Sequence, residues 1–216
     1  MKRNILVLFG PPGIGKGTVG KALSEKLNLP LISAGDLLRS EVKENSDIGK
    51  KASAFMNAGS LVPDELVFEA LKKRITSSDA KEGFLLDGFP RNLAQADLLD
   101  CVLDSQDHYL VLNLTGSDTV LIERLSQRRI CAACGAIYHL INMPPRSEGV
   151  CDTCGGLLTQ RNDDSPDVIA HRLEIFRKET EPVIGRYRKA GTLRTVKADA
   201  TLSETMAQIA EIVGGN

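Results

Sequence analysis

The chain has 216 residues, of which 42% are hydrophobic and 25% charged, values typical of a soluble globular protein with one core domain and insertions, or with two domains. Its 27 lysines and arginines balance 28 aspartates and glutamates, so it lacks the positive field that draws a protein to nucleic acid or to an anionic membrane. No stretch approaches the roughly 20 apolar residues of a membrane span. We therefore expect a cytoplasmic or similarly reducing location.

The first predicted element is a strand followed by a phosphate-binding loop. Residues 5–9 are five apolar residues with the Ile and Val content of a strand buried on both faces. Residues 10–16 then read G-x-x-x-x-G-K, and a helix is predicted over residues 16–27. The glycines let successive N–H groups turn toward an anion, while Lys16 and the helix N-terminus add positive charge. Gly17 replaces the usual Ser or Thr, so magnesium should be held through water and a carboxylate elsewhere.

Strand and helix patterns alternate along the rest of the chain. After a short strand near residue 31, helices are predicted over residues 36–43, 47–57, 64–76, 92–103, 117–126 and 165–188 and from 203, with strands at 83–87, 109–114 and 193–197. Pro182 is expected to bend or shorten its helix. The alternation predicts an α/β core with a central parallel β-sheet. The predicted core comprises residues 1–32, 63–127 and 164–216, with a helical insertion at 33–62 and a β-rich lid at 128–163.

Four of the five cysteines form two C-x2-C pairs sixteen residues apart: Cys131, Cys134, Cys151 and Cys154. Two disulfides would suit a secreted chain, whereas paired two-residue spacing in a reducing compartment is typical of tetrahedral zinc. We therefore predict a structural Zn²⁺ site with four thiolate ligands. The remaining cysteine, Cys101, is predicted to be a buried thiol on a helix.

Several carboxylates stand where a parallel sheet places ligands, at the carboxyl ends of its strands. Asp87 ends one strand and is the candidate for orienting Mg²⁺ through water; the alternative is a helix N-cap. Asp36 is expected either to serve similarly or to cap its helix. Asp163 and Asp164 precede a helix, where they would cap it or hold the lid shut.

Six arginines stand at positions accessible to phosphate. Arg124 and Arg128 are four residues apart and are predicted to share one helical face, and the other four follow strand-end turns or flank the cysteine segment: Arg39, Arg91, Arg161 and Arg172. Each alone would be read as a solvated surface residue. Beside a phosphate-binding loop, they indicate more phosphate than one nucleotide carries. Phosphoryl transfer between two nucleotides fits, because there the protein mainly aligns groups, offsets charge and excludes water.

Motifs along nearly the whole chain resemble those of nucleoside monophosphate kinases, in the same order. They are GPPGIGKGT, SAGDLLR, GSLVPDEL, GFLLDGFPRNLAQA, ERLSQRRICAACGAIYH, CDTCGGLLTQRNDD and His171 to Leu173. The chain is most similar to the zinc-containing, long-lid adenylate kinases. The resemblance implies a P-loop three-layer α/β fold with a helical AMP-binding insertion and a zinc-ribbon-like lid. It also implies the Mg²⁺-dependent reaction ATP + AMP = 2 ADP, which serves adenine nucleotide homeostasis, in a monomer without nucleic-acid or membrane partners.

The resemblance assigns residues to three roles. ATP contacts would be Gly13, Ile14, Gly15, Lys16, Gly17, Thr18, Arg124, Arg128, Ile137, Tyr138, Ala200 and Leu202. AMP contacts would be Ala34, Arg39, Ser60, Leu61, Val62, Gly88, Phe89, Pro90, Arg91, Gln95, Arg161 and Arg172. Catalytic residues would be Lys16, Asp87, Arg91, Arg124, Arg128, Arg161 and Arg172. Gln95 would read adenine through its side-chain amide; the alternative for this glutamine is a solvent-facing helix position.

Three residues depart from the family pattern. Ala34 replaces a usual Thr, as in UMP/CMP kinases, so the preference for AMP over CMP and UMP stays open. Gln127 replaces a usual Gly before the lid and is expected to stiffen that hinge. Ala200 stands where Gly is frequent, which leaves ATP over GTP to family inference.

Two alternatives to an adenylate kinase remain at this point. One is a UMP/CMP-type or broad-specificity nucleoside monophosphate kinase, which Ala34 favours and which Gln95 and the four-cysteine lid oppose. The other is a nucleotide-gated protein whose zinc ribbon binds nucleic acid. Between Cys131 and Cys154 only Arg146 is cationic, and Tyr138 is the only Phe, Tyr or Trp, which makes a poor surface for phosphate tracking or base stacking.

Overall fold

The computed structural model describes residues 2–214. Its strands are β1 (Asn4–Phe9), β2 (Leu31–Ser33), β3 (Gly83–Asp87), β4 (His108–Thr115), β5 (Arg128–Cys131), β6 (Ile137–His139), β7 (Leu158–Thr159) and β8 (Leu193–Lys197). Five of them form one parallel sheet in the order β2-β3-β1-β4-β8. The other three form an antiparallel sheet in the order β6-β5-β7.

The helices are α1 (Lys16–Leu27), α2 (Ala34–Lys43), α3 (Asp47–Asn57), α4 (Asp64–Ile75), α5 (Leu93–Asp100), α6 (Asp118–Ser126), α7 (Pro166–Ile175), α8 (Glu181–Lys189) and α9 (Leu202–Gly214). None of the helices within the described residues is both long and apolar enough to cross a membrane. Most of these bounds agree with the predicted ones. Two predicted helices end early, one at Asp100 and one at Ile175, and each has a physical reason.

The predicted helix over residues 92–103 ends at Asp100 because the following turn is held by another part of the chain. The guanidinium of Arg3 donates to the Val102 carbonyl at 3.1 Å and pairs with Asp107, whose carboxylate is almost fully buried. Cys101 therefore lies just past the helix end and is exposed. The prediction of a buried helical thiol was wrong.

The predicted helix over residues 165–188 is interrupted by a π-helical turn at Phe176–Thr180. At its end the N–H of Glu181 donates to the Phe176 carbonyl five residues back, instead of four. Pro182 then stands in the first turn of α8, where its missing N–H costs no helix bond. The α-helix is thus shortened, which is one of the two effects expected of Pro182, and the π turn lies directly before α8.

The parallel sheet is covered on both faces, because alternate residues of each strand point to opposite layers. Ile5 and Val7 of β1 pack with buried residues of α2, α3, α4, α5 and α8. Leu6 and Leu8 pack on the other side with residues of α1, α6, α7 and α9. This three-layer arrangement confirms the predicted α/β fold class. The helices of the 33–62 insertion share the first of these cores instead of forming their own.

The cysteine segment forms the separate antiparallel sheet and has a very small core. Its buried cluster consists of Cys131, Tyr138 and Cys151. A single residue, Gln127, separates the end of α6 from the start of β5. Arg124 and Arg128 therefore lie on a helix and on a strand, and the prediction of a shared helical face was wrong because the helix ends at Ser126.

Candidate active site

A cavity of about 710 Å³ opens at the carboxyl edge of the parallel sheet, a size common for small-molecule sites. It is lined by the loop after β1, the ends of β2 and β3, β6 of the lid, the segment before α9, and six arginines: Arg39, Arg91, Arg124, Arg128, Arg161 and Arg172. A smaller cavity of about 70 Å³ runs from the same point toward Gly59, Leu61 and Phe89. The two cavities share five lining residues: Pro12, Lys16, Gly88, Arg91 and Arg172. Two ligands bound from the two sides would meet at these residues.

The loop between β1 and α1 has the predicted phosphate-binding form. Gly13 has φ of +87°, and a Cβ there would lie 2.7 Å from the Leu121 carbonyl oxygen, so no other residue fits. Lys16 begins α1, and its Nζ donates to the carbonyls of Gly10 at 2.6 Å and Pro11 at 3.0 Å. Burial lowers the pKa of Lys16 to about 8, although the carboxylate of Asp87 opposes the change.

Asp87 ends β3 directly opposite the phosphate-binding loop, since it pairs in register with Leu8 of β1. Burial raises the pKa of its carboxyl, and the charges of Lys16 and Arg91 oppose that rise. Its Oδ1 atom is buried and has no hydrogen-bond partner among residues 2–214. An unpartnered carboxylate oxygen in a phosphate site fits a metal-bound water. The N-cap reading of Asp87 was wrong, because Asn92 caps α5.

The cationic side chains of the site lower one another's pKa values. For Arg91 and Arg172 the main cause is burial, with the neighbouring guanidinium charges adding to it for both. Burial lowers the pKa of Arg161 to about 10, and Arg39 and Arg128 contribute further. Asp36 compensates one of these charges through a 2.5 Å contact with Arg39. Gathered buried cations of this kind favour a polyanionic ligand.

The N-cap of α2 is Ser33 and not Asp36, so the expectation that Asp36 caps its helix was wrong. The Ser33 hydroxyl accepts a hydrogen bond from the Asp36 N–H at 3.3 Å. The N-cap of α7 is Ser165, as expected from the predicted helix start, so the alternative of a cap at Asp163 or Asp164 was wrong. Ser33 and Ser165 have the extended backbone that an N-cap needs. The carboxylates are thus free to pair with arginines.

Asp164 joins the lid to the core. Its carboxylate is fully buried and accepts from Arg128 of β5 at 2.8 Å and 2.6 Å and from Arg172 of α7 at 3.0 Å. Asp163 adds a second carboxylate contact to Arg172 at 2.9 Å. The alternative reading of these aspartates, a role in holding the lid to the core, agrees with these contacts.

Arg124 crosslinks two walls of the larger cavity. One of its terminal nitrogens donates to the carbonyls of Ile14 at 3.1 Å and Ala198 at 2.7 Å. The other donates to the carbonyls of Asp199 at 3.3 Å and Ala200 at 3.1 Å. The edge of the guanidinium is therefore used on backbone carbonyls, and its contribution to the cavity is a flat, charged face.

Four of the residues that the resemblance assigned to AMP do not line either cavity: Ala34, Ser60, Val62 and Gln95. Ala34 is only 3% exposed and belongs to the hydrophobic core. Gln95 is 1% exposed, so the solvent-facing alternative was wrong. Its Oε1 accepts from the Arg91 N–H at 2.8 Å, and its Nε2 donates to Asp64 at 2.7 Å.

Two groups of contacts around the residues assigned to AMP were missed by the sequence reasoning. Asp64 anchors both Gln95 and Asn92, and Ser60 lies 3.3 Å from His171 Nε2. Only Asp64 had a local signal, since it stands in the VPDEL motif. The pairing partners are distant in the chain and left no pattern of their own.

The four predicted zinc ligands come together in the lid. Their Sγ atoms all lie within 4.8 Å of one another, with Cys131 and Cys154 at 3.5 Å and Cys134 and Cys151 at 3.6 Å. Four thiolates at about 2.3 Å from a tetrahedral zinc would be about 3.8 Å apart, so the cluster fits this metal. A hydrogen bond from the Tyr138 hydroxyl lowers the pKa of Cys151 to about 6, which favours the thiolate.

Residues 8–192 match the family described as Adenylate kinase. The chain belongs to the adenylate kinase family. A protein named adenylate kinase from Caldicellulosiruptor bescii is 45% identical over 97% of this chain and 98% of its own length. Proteins of the same name from Methanocella arvoryzae and Clostridioides difficile are 46% and 42% identical over 94% and 97% of this chain, and over 95% and 98% of their own lengths.

Membership of the adenylate kinase family confirms the resemblance drawn from the motifs. It also confirms the predicted enzyme class, an ATP:AMP phosphotransferase. The match covers the phosphate-binding loop, both insertions and α7. The site described above therefore lies entirely within the part of the chain that defines the family, apart from its C-terminal wall.

Proposed function

We propose that this chain catalyses the reversible reaction ATP + AMP = 2 ADP in the cavity at the carboxyl edge of the sheet. The observation that carries the proposal is the meeting of two cavities at Lys16, Arg91 and Arg172. An AMP phosphate oxygen there forms a bond to the γ-phosphorus of ATP, while the bond from that phosphorus to the β,γ-bridging oxygen breaks. The leaving ADP keeps the electron pair.

The donor nucleotide binds along the larger cavity. The N–H groups of residues 13–18 surround its phosphates, and Lys16 exchanges its carbonyl partners for phosphate oxygens. Arg128 and Lys16 offset charge that develops during transfer. The Ile137-Tyr138 pair of the lid, the face of Arg124 and the Ala200 to Leu202 segment lie along the same cavity and serve the rest of the nucleotide.

The acceptor nucleotide binds toward the smaller cavity. Arg39, Arg91, Arg161 and Arg172 hold its phosphate, and the segments 60–62 and 88–90 hold the remainder, since both adjoin this cavity through Leu61 and Gly88 to Pro90. Gln95 reads the base only after its amide leaves Asp64, which predicts a rearrangement on AMP binding. Ala34 contributes through its backbone and through packing.

Two metals belong to the proposal. Asp87 would hold water on the Mg²⁺ that accompanies ATP, through the oxygen that otherwise has no partner. The four cysteines would hold a structural Zn²⁺, which leaves no open coordination position for chemistry. When bound, Mg²⁺ supplies charge neutralisation between the phosphates, and the chain supplies alignment and exclusion of water.

We also propose that residues 33–62 act as the AMP-binding insertion, residues 128–163 as the lid, and the remainder as the core. We propose a cytoplasmic location, because a reducing compartment keeps the four thiols of the lid free of disulfides and available for metal. We also propose that the protein is a monomer. Sedimentation of the purified protein with and without both nucleotides tests the monomer. Adenine nucleotide homeostasis is the role such an activity would serve.

The deciding experiment compares initial rates from Mg-ATP to AMP, CMP and UMP. We expect AMP to be preferred by orders of magnitude. Ala34, the residue that favoured a UMP/CMP-type enzyme, has its side chain in the hydrophobic core, so its missing hydroxyl leaves the cavity unchanged. Comparable rates with CMP or UMP would refute this proposal and indicate a broad-specificity kinase. Chelation of Mg²⁺ should abolish transfer with every acceptor.

A further inference from the structure

The backbone of Arg91 is held from both sides by buried side chains of other elements. Its N–H donates to Gln95 Oε1 at 2.8 Å, and its carbonyl accepts from Thr180 Oγ1 at 2.8 Å. Gln95 is 1% exposed and Thr180 is 5% exposed. The arginine guanidinium then folds back so that Nε donates to the Gly88 carbonyl at 2.9 Å. Two helical segments, α5 and the π turn before α8, thus determine where the backbone of this arginine lies.

Thr180 reaches Arg91 because it ends the π turn at Phe176–Thr180. A helical threonine usually donates to a carbonyl of its own helix, as Thr205 does to Thr201 and Thr76 to Lys72. The extra residue of a π turn rotates the residues after it by about 100° relative to a continuous α-helix. Thr180 therefore faces the smaller cavity, and its hydroxyl donates to the carbonyl of Arg91, 89 positions away in the chain.

We propose that Thr180 is a positioning residue for Arg91, and that the π turn exists to place it. This inference rests on the proposed role of Arg91 in holding the AMP phosphate. Thr180 itself touches the smaller cavity, but its hydroxyl is used on the Arg91 carbonyl. Loss of that bond leaves a partly buried carbonyl unpaired and frees the arginine from one of its two anchors. Acceptor binding and transfer then suffer, while ATP binding does not.

The test compares Thr180→Val, which keeps the shape and removes the hydroxyl, with Thr180→Ser, which keeps the hydroxyl. For Thr180→Val we expect kcat/KM for AMP to fall about tenfold, the rate equivalent of one lost buried hydrogen bond. KM for ATP should stay within about twofold of the wild-type value, a change below 0.5 kcal/mol. Thr180→Ser should restore kcat/KM for AMP. Thr180→Ala serves as a second hydroxyl-free variant if the valine impairs folding.

The matched control is Thr192→Val, which removes a threonine hydroxyl that donates to the Tyr187 carbonyl at the far end of the sheet. Its kinetics should equal those of the wild type. The ¹³C shift of the Arg91 carbonyl gives a readout independent of activity and should move upfield in Thr180→Val only.

Three results would overturn the inference. The first is a Thr180→Val variant with a lower melting temperature and an unchanged kcat/KM for AMP. The second is a Thr180→Val variant in which KM rises equally for ATP and AMP. The third is a Thr180→Ser variant whose kcat/KM for AMP stays as low as that of Thr180→Val. Arg91→Ala separates this failure from failure of the proposed function. If Arg91→Ala is impaired with AMP and Thr180→Val is not, only the inference falls. If Arg91→Ala itself reacts normally with AMP, the assigned role of Arg91 falls.

Discussion

Replacement of Asp164 by asparagine should destabilise the protein and slow the reaction together. The substitution keeps the size of the side chain and removes the one charge that Arg128 and Arg172 share. Both guanidinium side chains are only 16% exposed, so water replaces little of the lost compensation. Removal of one partner from a buried ion pair typically costs about 3–5 kcal/mol.

The lower end of that range applies, because Asp163 remains 2.9 Å from Arg172 and only Arg128 loses all its carboxylate contacts. We therefore expect a loss of about 3 kcal/mol in the free energy of unfolding. For a chain of this size that corresponds to a fall of about 6–12 °C in melting temperature. The turnover number should fall about 100-fold, since both arginines lose their alignment with the phosphates.

Urea unfolding and initial rates with Mg-ATP and AMP measure the two effects. Asp163→Asn is the matched control, because Asp163 is partly exposed and touches only Arg172 of the pair. It should cost less than about 1 kcal/mol, as for a partly solvated pair. The reasoning fails if Asp164→Asn unfolds within 1 kcal/mol of the wild type, or if both variants behave alike.

Three further perturbations have clear expected outcomes. Lys16→Met should reduce turnover about 1,000-fold at an unchanged melting temperature, and near-normal turnover in the folded variant would refute the role of Lys16. Because the pKa of Lys16 is lowered to about 8 by burial, kcat/KM for Mg-ATP should fall as pH rises through about 8, whereas kcat should hold to higher pH because bound phosphate raises that pKa. A kcat/KM for Mg-ATP that does not change with pH around 8 would contradict the buried placement of Lys16. Because the pKa of Lys16 is lower in the folded state than in the unfolded state, its contribution to the free energy of unfolding increases as pH rises from about 8 to the usual pKa of 10.5. Removal of zinc by a chelator should lower the melting temperature more than turnover, since the lid core contains only Cys131, Tyr138 and Cys151; protein purified under reducing conditions and free of zinc by metal analysis would refute the metal assignment.

Patterns contained within a single segment predicted the fold well. The apolar run of β1, the glycine loop and the alternation of strands and helices each depend on neighbours in sequence, and they sufficed for the three-layer α/β class and for the phosphate-binding loop. The C-x2-C pairs likewise predicted a cluster that the structure assembles, because ligand spacing is a local constraint. Family motifs added which arginines face the cavity.

Features that depend on distant partners were not predictable in the same way. The charge of Asp164 is visible in the sequence, but its two arginine partners come from a strand and a helix of different layers. Cys101 was misplaced because Arg3, almost a hundred residues earlier, holds the turn beside it. The contact from the π turn to the Arg91 carbonyl was also hidden, because no spacing within residues 165–188 reveals that acceptor. Local propensity is a weak prior wherever such tertiary contacts compete with it.

The hydrogen bonds that Lys16 makes before a ligand binds affect the enthalpy of phosphate binding. Its ammonium already donates to the carbonyls of Gly10 and Pro11, so binding of a phosphate exchanges these bonds for others instead of adding new ones. Calorimetry of the donor site should therefore show a modest enthalpy for the first phosphate contact and a larger one as the lid and its arginines engage. A small free anion such as inorganic phosphate engages only the first contact. It should compete poorly with ATP, and the cell's phosphate pool would leave the enzyme uninhibited.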